Sequence, residues 1–348
     1  MSILHSRFPR LAQVASSCGA IALLVGGIGL TGLATTDVRV TSTGILDGGY
    51  QRVYEQRFEQ NLPMRAFAIE AWNALTFGLL GHGAQGAVIG RDGWMFTVEE
   101  FAEPEAPVDF ATELAAASAI LAKAGATLVP VIVPDKARIM ADKLPRARSD
   151  KFNARYDAVL AVVAARGLPV IDLRPALTQA APGFMRTDTH WSPDGARAAA
   201  FAVAQALADL PLERSEFATT AGASVPLEGD LTSFARTGRF EAFVGPARET
   251  LARYDTRAVS QDMGLFGEAT LDASLVGTSF SARPEFHFDG FLKEALSMDL
   301  LNLAVEGQGP FEPMRAYLAQ TQTFPKLVLW EIPERYIATS ATLNRSLK

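Results

Sequence analysis

DFATELAAASAILAKAGATLVPVIV, residues 109–133, decides the reading of this chain. Its first half carries apolar residues at helical spacing and predicts a helix over about 109–124. Its end, Thr127–Val133, is a short apolar run that reads as a strand. Outward from this unit the alternation continues, with a helix near 151–166 and a strand-like run at Leu168–Leu173. It resumes at Ala273–Gly277, Leu300–Val305 and Lys326–Ile332, which read as buried strands. Such alternation predicts an α/β fold: a mainly parallel sheet with helices on both faces.

Ser192-Pro193-Asp194 opens a further helix running to about Leu207, with Ser192 as N-cap and Pro193 at the first helical position. His190 therefore lies in the loop just ahead of a helix. Residues 62–80 read as a helix with Pro63 in its first turn. Residues 210–260 read as irregular, with Gly222, Gly229 and Gly238 at turns, and no internal repeat is visible.

Of the 348 residues 49% are apolar and 20% charged, enough for an ordinary core. The net charge of -6, with no long basic run, provides no field to gather phosphates and argues against a nucleic-acid partner. Cys18, the only cysteine, lies in the apolar N-terminal stretch, so the folded part has no thiol for a disulfide, a thiolate metal site or a cysteine nucleophile. The four histidines, His5, His82, His190 and His287, include no i, i+4 pair of the helical zinc type, so no metal centre or cofactor is expected.

Leu11–Ala34 is a run of 24 uncharged residues, and about 20 suffice to cross a bilayer. Arg7 and Arg10 precede it, so the positive-inside rule places the N-terminus in the cytoplasm and the body outside. The alternative is a cleaved signal peptide, for which the apolar run is long; either way the body is exported. Gly27-Ile28-Gly29-Leu30-Thr31-Gly32 matches the dinucleotide-binding pattern but lies inside this segment, so it reads as a chance match. The expected organisation is a cytoplasmic stub and anchor over 1–37, a polar linker over 38–60 and one domain over 61–348.

Serine becomes a useful nucleophile when a base takes its proton, and the base works best when a carboxylate holds its other ring nitrogen. Asp188 and His190, two residues apart in TDTHW, supply carboxylate and imidazole. Ser279 supplies a hydroxyl where the strand Ala273–Val276 ends, and active sites of such sheets form at the carboxyl ends of strands. Each signal alone is weak: Asp-x-His also describes an ordinary surface loop, and glycine and serine end many strands.

GRDGWMFTVEEF (Gly90–Phe101), RTDTHWSPDGA (Arg186–Ala196), LVGTSFS (Leu275–Ser281) and WEIPERY (Trp330–Tyr336) resemble, in order, the motifs of the alginate O-acetyltransferase family, the periplasmic SGNH-hydrolase-like enzymes AlgJ and AlgX. The resemblance implies a three-layer SGNH-like sandwich with circularly permuted motif order, since Asp188 and His190 precede Ser279, behind one N-terminal transmembrane helix. It places the nucleophile on Ser279, the base on His190 and the base's partner on Asp188. The chain ends soon after WEIPERY, as expected for the shorter, anchored AlgJ type rather than a type with a C-terminal carbohydrate-binding module.

The implied activity is acetyl transfer through an acetyl-serine to hydroxyls of an exported polysaccharide, alginate or a similar polymer, with the Ser279 N–H in the oxyanion hole. The implied partners are a membrane-bound O-acyltransferase as acetyl supplier and other polysaccharide-export proteins. The implied location is the inner membrane, single-pass, with the catalytic domain in the periplasm. An acetylesterase using the same triad and a non-catalytic polysaccharide-binding scaffold are the alternatives.

Arg283, four residues after Ser279, is a candidate contact for an acidic sugar, with Glu285 as its alternative partner. Lys136 and Arg138, following the strand through Pro134, are candidate substrate contacts, against the alternative of solvated charge. His287 is a rival base placed only eight residues after Ser279. His82 reads as a loop histidine, and Trp94 and Trp330 read as core rather than as sugar platforms.

Overall fold

The computed structural model describes residues 47–61, 65–211, 214–259 and 272–339. The helices are α1 (Gly49–Asn61), α2 (Arg65–Leu80), α3 (Phe110–Lys123), α4 (Asp150–Ala165), α5 (Arg174–Gln179), α6 (Pro193–Ala206), α7 (Phe288–Leu296) and α8 (Phe311–Gln320), with several single turns besides. The strands are β1 (Ala87–Ile89), β2 (Met95–Thr97), β3 (Thr127–Val133), β4 (Phe217–Leu227), β5 (Glu249–Ala258), β6 (Ala273–Val276), β7 (Leu300–Asn302) and β8 (Leu327–Pro333).

The main sheet has the order β3-β8-β6-β7 and is parallel throughout, with Thr127 and Ala273 both in register with Leu327. Alternate strand residues enter two separate cores. Val129, Val131, Val133, Leu275, Leu327 and Leu329 pack toward α6 and α7. Leu128, Ile132, Val276, Val328, Trp330 and Ile332 pack toward α3, α4 and α8. Covering both faces is what allows β8 to be buried along its whole length, and the result is the expected three-layer α/β arrangement.

Local chemistry fixes the helix starts. Asp109 accepts from Thr112 N–H to cap α3, and Ser192 accepts from Gly195 N–H to cap α6 behind Pro193.

Two expectations are corrected. Leu168–Leu173 forms no strand. Tyr156 Oη donates to Ile132 O of β3 at 3.0 Å and accepts from Leu173 N–H at 3.2 Å. A side-chain hydroxyl thus stands where a ladder bond would be, and Pro169 has no N–H to offer. Second, the stretch read as irregular holds a long antiparallel ribbon, β4 paired with β5, bulged between Ala221 and Ser224 and largely exposed. Within the stretch read as linker lies α1, a helix that buries none of its residues.

The chain divides into two units. One holds α1, most of α2 and Thr237–Val244, and within it Arg239 Nε pairs with Glu70 at 2.7 Å while Phe67 meets Phe240 edge-on. The other holds the sheet and both cores. Among the described residues no helix is long and apolar enough to cross a membrane. The segment Leu11–Ala34, the glycine pattern within it and Pro63 lie outside those residues.

Candidate active site

β6 ends at Val276, and the chain must then pass over Glu331 of the neighbouring β8. A Cβ on Gly277 would lie 2.5 Å from Glu331 Oε2, so glycine is required at this step. Thr278 then caps a single helical turn, Ser279–Ala282, by accepting from Phe280 N–H. Glu331, wholly buried, accepts from Thr278 N–H at 2.7 Å, Thr278 Oγ1 at 3.0 Å and Ser281 Oγ at 3.1 Å. Burial pushes its carboxyl up to about 7 against those hydrogen bonds. The turn carrying Ser279 is thereby held from below on both sides, while Ser279 itself is only half-buried.

The loop ahead of α6 brings Asp188 and His190 to the same place. His190 Nε2 lies 2.8 Å from Ser279 Oγ, and His190 Nδ1 lies 2.6 Å from Asp188 Oδ1. The imidazole is flanked by Phe280 and Phe286, with ring centroids 4.7 and 5.1 Å away. Trp191, buried in the core beneath, donates from Nε1 to Phe280 O and ties the histidine loop to the serine turn. Burial alone would raise the Asp188 carboxyl, but the hydrogen bond and charge of His190 outweigh it and hold it well below the usual carboxylate range. A hydroxyl, an imidazole and an ionised carboxylate in line can activate the hydroxyl as a nucleophile.

Lys136 corrects the sequence reading, because it is neither a substrate contact nor a solvated charge. It is buried under Trp94 and Phe96, with Nζ 5.3 and 5.2 Å from their ring centroids. Nζ donates to Met95 O, to Arg186 O at 3.0 Å and to Asp188 O at 2.8 Å. Burial pushes its ammonium down to about 8 against neighbouring carboxylates, Glu100 first. Glu249, from β5, accepts from Arg186 N–H at 2.7 Å and Thr187 N–H at 2.6 Å. One lysine and one glutamate thus satisfy the carbonyls and amides of the segment that presents Asp188.

Arg283 pairs with Glu285, Nε to Oε1 at 2.8 Å, and its NH1 reaches Asp188 Oδ2 at 3.5 Å. Arg138 binds Glu334, Nε to Oε2 at 3.0 Å, so it too is internally engaged. His287 faces Thr256 Oγ1 at 2.8 Å and leaves the serine to His190. His82 is exposed, and Trp94 and Trp330 are buried.

Asp188, His190 and Asp230 bring metal-ligating atoms within 4.8 Å of one another. Because Nδ1 and Oδ1 already face each other across a 2.6 Å hydrogen bond, the group is built as an acid–base pair rather than a cation cage. Sequence reasoning missed Asp230, Glu249 and Glu331. Only Glu331 left a signal, a carboxylate inside the apolar run LVLWEIP.

Residues 87–334 match the family model of the SGNH hydrolase-like domain of the acetyltransferase AlgX. The probable alginate O-acetylase AlgJ of Pseudomonas putida is 35% identical, over 96% of this chain and 92% of its own length. Its counterpart in Pseudomonas aeruginosa is 33% identical over 91% and 88%. The solved O-acetyltransferase domain of Pseudomonas putida AlgJ superposes with a TM-score of 0.65 at 34% identity, covering 72% of this chain and 92% of that one. Pseudomonas aeruginosa AlgX, at 24% identity and a TM-score of 0.58, shares the fold. With its sheet, its ordered motifs and these relatives in agreement, the chain belongs to the AlgJ/AlgX family of SGNH hydrolase-like acetyltransferases.

Proposed function

We propose that this O-acetyltransferase works through a Ser279–His190–Asp188 triad and delivers acetyl to hydroxyls of alginate or a similar exported polysaccharide. The observation that carries this reading is the unbroken line from Asp188 Oδ1 through the His190 imidazole to Ser279 Oγ, at 2.6 and 2.8 Å. His190 Nε2 takes the Ser279 proton as Oγ attacks the acetyl carbonyl. The tetrahedral intermediate collapses, the donor's leaving group departs with the proton from His190, and an acetyl-serine remains. His190 then deprotonates a sugar hydroxyl, whose attack forms the sugar acetate and returns the proton to Ser279. Asp188 holds Nδ1–H and stabilises each transient imidazolium.

The same reading places the chain in the inner membrane through the uncharged run Leu11–Ala34, with the catalytic domain in the periplasm. Its partners are then a membrane-bound O-acyltransferase that supplies acetyl and other polysaccharide-export proteins. Supporting the acceptor assignment are the relatives named as alginate O-acetylases. The test is mass spectrometry after mixing the protein with a chromogenic acetyl ester. A gain of about 42 Da on the Ser279 peptide, absent from Ser279→Ala, is expected. Adding polymer should then clear the adduct and acetylate the polymer; release of free acetate alone would select an esterase.

A further inference from the structure

A second carboxylate reaches the imidazole. Gly229 lies against Thr187, where a Cβ would come within 2.2 Å of Thr187 O. That close approach brings Asp230 alongside the Asp188–His190 loop. Asp230 N–H donates to Asp188 Oδ2 at 3.0 Å, and Asp230 Oδ1 accepts from Thr189 N–H at 2.8 Å and Thr189 Oγ1 at 3.1 Å. The side chain is thus fixed through Oδ1, and Oδ2 stands 3.6 Å from His190 Nδ1. Two carboxylates therefore converge on one ring nitrogen, Asp188 fully buried and Asp230 with 36% of its side chain exposed.

The other charges facing this nitrogen are few. Arg283, held by Glu285, reaches Asp188 Oδ2, and Lys136 binds the Asp188 carbonyl from below. Glu249 is engaged with the Thr187 and Arg186 amides. Ser279 occupies the far side of the ring, and Phe280 and Phe286 cover its faces. When His190 takes a proton, its new charge is met by Asp188 within hydrogen-bond distance and by Asp230 just beyond it.

We infer that Asp230 is a positioning residue of the acid–base relay, a second anion that supports the His190 imidazolium and becomes its partner when Asp188 is lost. This rests on the triad reading and extends it. The prediction has a sign: removing the second anion takes support from the imidazolium formed in each transition state, so kcat must fall while KM holds.

The experiment measures acetyl-ester kcat and KM for the full-length protein in membranes, comparing wild type with Asp230→Asn, Asp230→Glu, Asp188→Asn and the double variant. Asn retains an oxygen to accept from Thr189. In Asp230→Asn kcat should fall about threefold with KM unchanged. Asp230→Glu should restore kcat, because it returns the charge that Asn lacks, which a merely structural role would not require. The double variant should be about tenfold less active than Asp188→Asn, a larger loss than Asp230→Asn causes alone. An unchanged kcat in Asp230→Asn, or a double variant as active as Asp188→Asn, overturns the inference while leaving the triad intact. Activity in Ser279→Ala would instead remove the triad on which the inference depends.

Discussion

The ammonium of Lys136 donates to the main-chain carbonyl of Asp188 at 2.8 Å, so the carboxylate that orients the histidine is presented by a buried lysine from the end of β3. The GRDGWMF stretch supplies the rings that cover Lys136 and one of the carbonyls that it binds. A motif far from Ser279 in sequence thereby bears on the segment that carries Asp188 and His190.

Lys136→Met should keep the side-chain volume but strand three buried carbonyls, at a cost of about 3 kcal/mol. Urea unfolding should show that loss. Acetyl-ester kcat should fall more than tenfold with little change in KM, because the acetyl group itself never meets Lys136. An unchanged kcat would show that the Asp188 segment holds its shape without the lysine.

Ser279→Ala and His190→Ala should each remove nearly all turnover, and combining them should add little, because residues that act as one unit lose their effect together. Asp188→Asn should fold normally and lose up to about 10⁴-fold in kcat, with Asp230 as the reason the loss stops short of that figure. Steady-state kinetics on the three variants and the double form a complete check.

Glu331 gives stability a pH dependence. Its carboxyl stands at about 7 in the folded protein against an ordinary 4.5, so its contribution is full below 4.5 and is lost as pH rises through 7. Wild type should therefore lose up to about 3 kcal/mol relative to Glu331→Gln between pH 5 and 8. Denaturant titrations of the two proteins at both pH values measure the difference, and parallel curves would contradict it.

On the proposed topology, with Arg7 and Arg10 ahead of the apolar run, a reporter active only outside the cytoplasm, fused after Thr41, should be active. Activity from a cytoplasm-specific reporter alone would reverse the topology.

The strands of the main sheet were legible because burial on both faces leaves an uninterrupted apolar record, as in LVLW of β8. The ribbon β4–β5 was not, since most of its residues meet solvent and keep no clean alternation. Leu168–Leu173 carries a strand's composition, yet its pairing depended on Tyr156, which lies on a different element. At the site, the three side chains that the fold brings into line, Asp188, His190 and Ser279, were legible from short motifs and their order. Asp230 and Glu249 were not, because each acts on residues 186–190 from 40 or more positions away, through contacts that only the folded chain creates. Lys136 was misread because a charge just past a strand ordinarily meets water.

The hydroxyl bridge between β3 and Leu173 bears on what happens when many copies are crowded together. β3 is an edge of the main sheet, and an open edge is a template on which a second molecule can add a strand. Tyr156 occupies the Ile132 carbonyl with its hydroxyl and holds a non-pairing segment alongside, so that hydrogen-bonding position is already taken. Tyr156→Phe would free the Ile132 carbonyl and the Leu173 amide together, and the outcome to look for is self-association into filaments or precipitate rather than a damaged reaction centre.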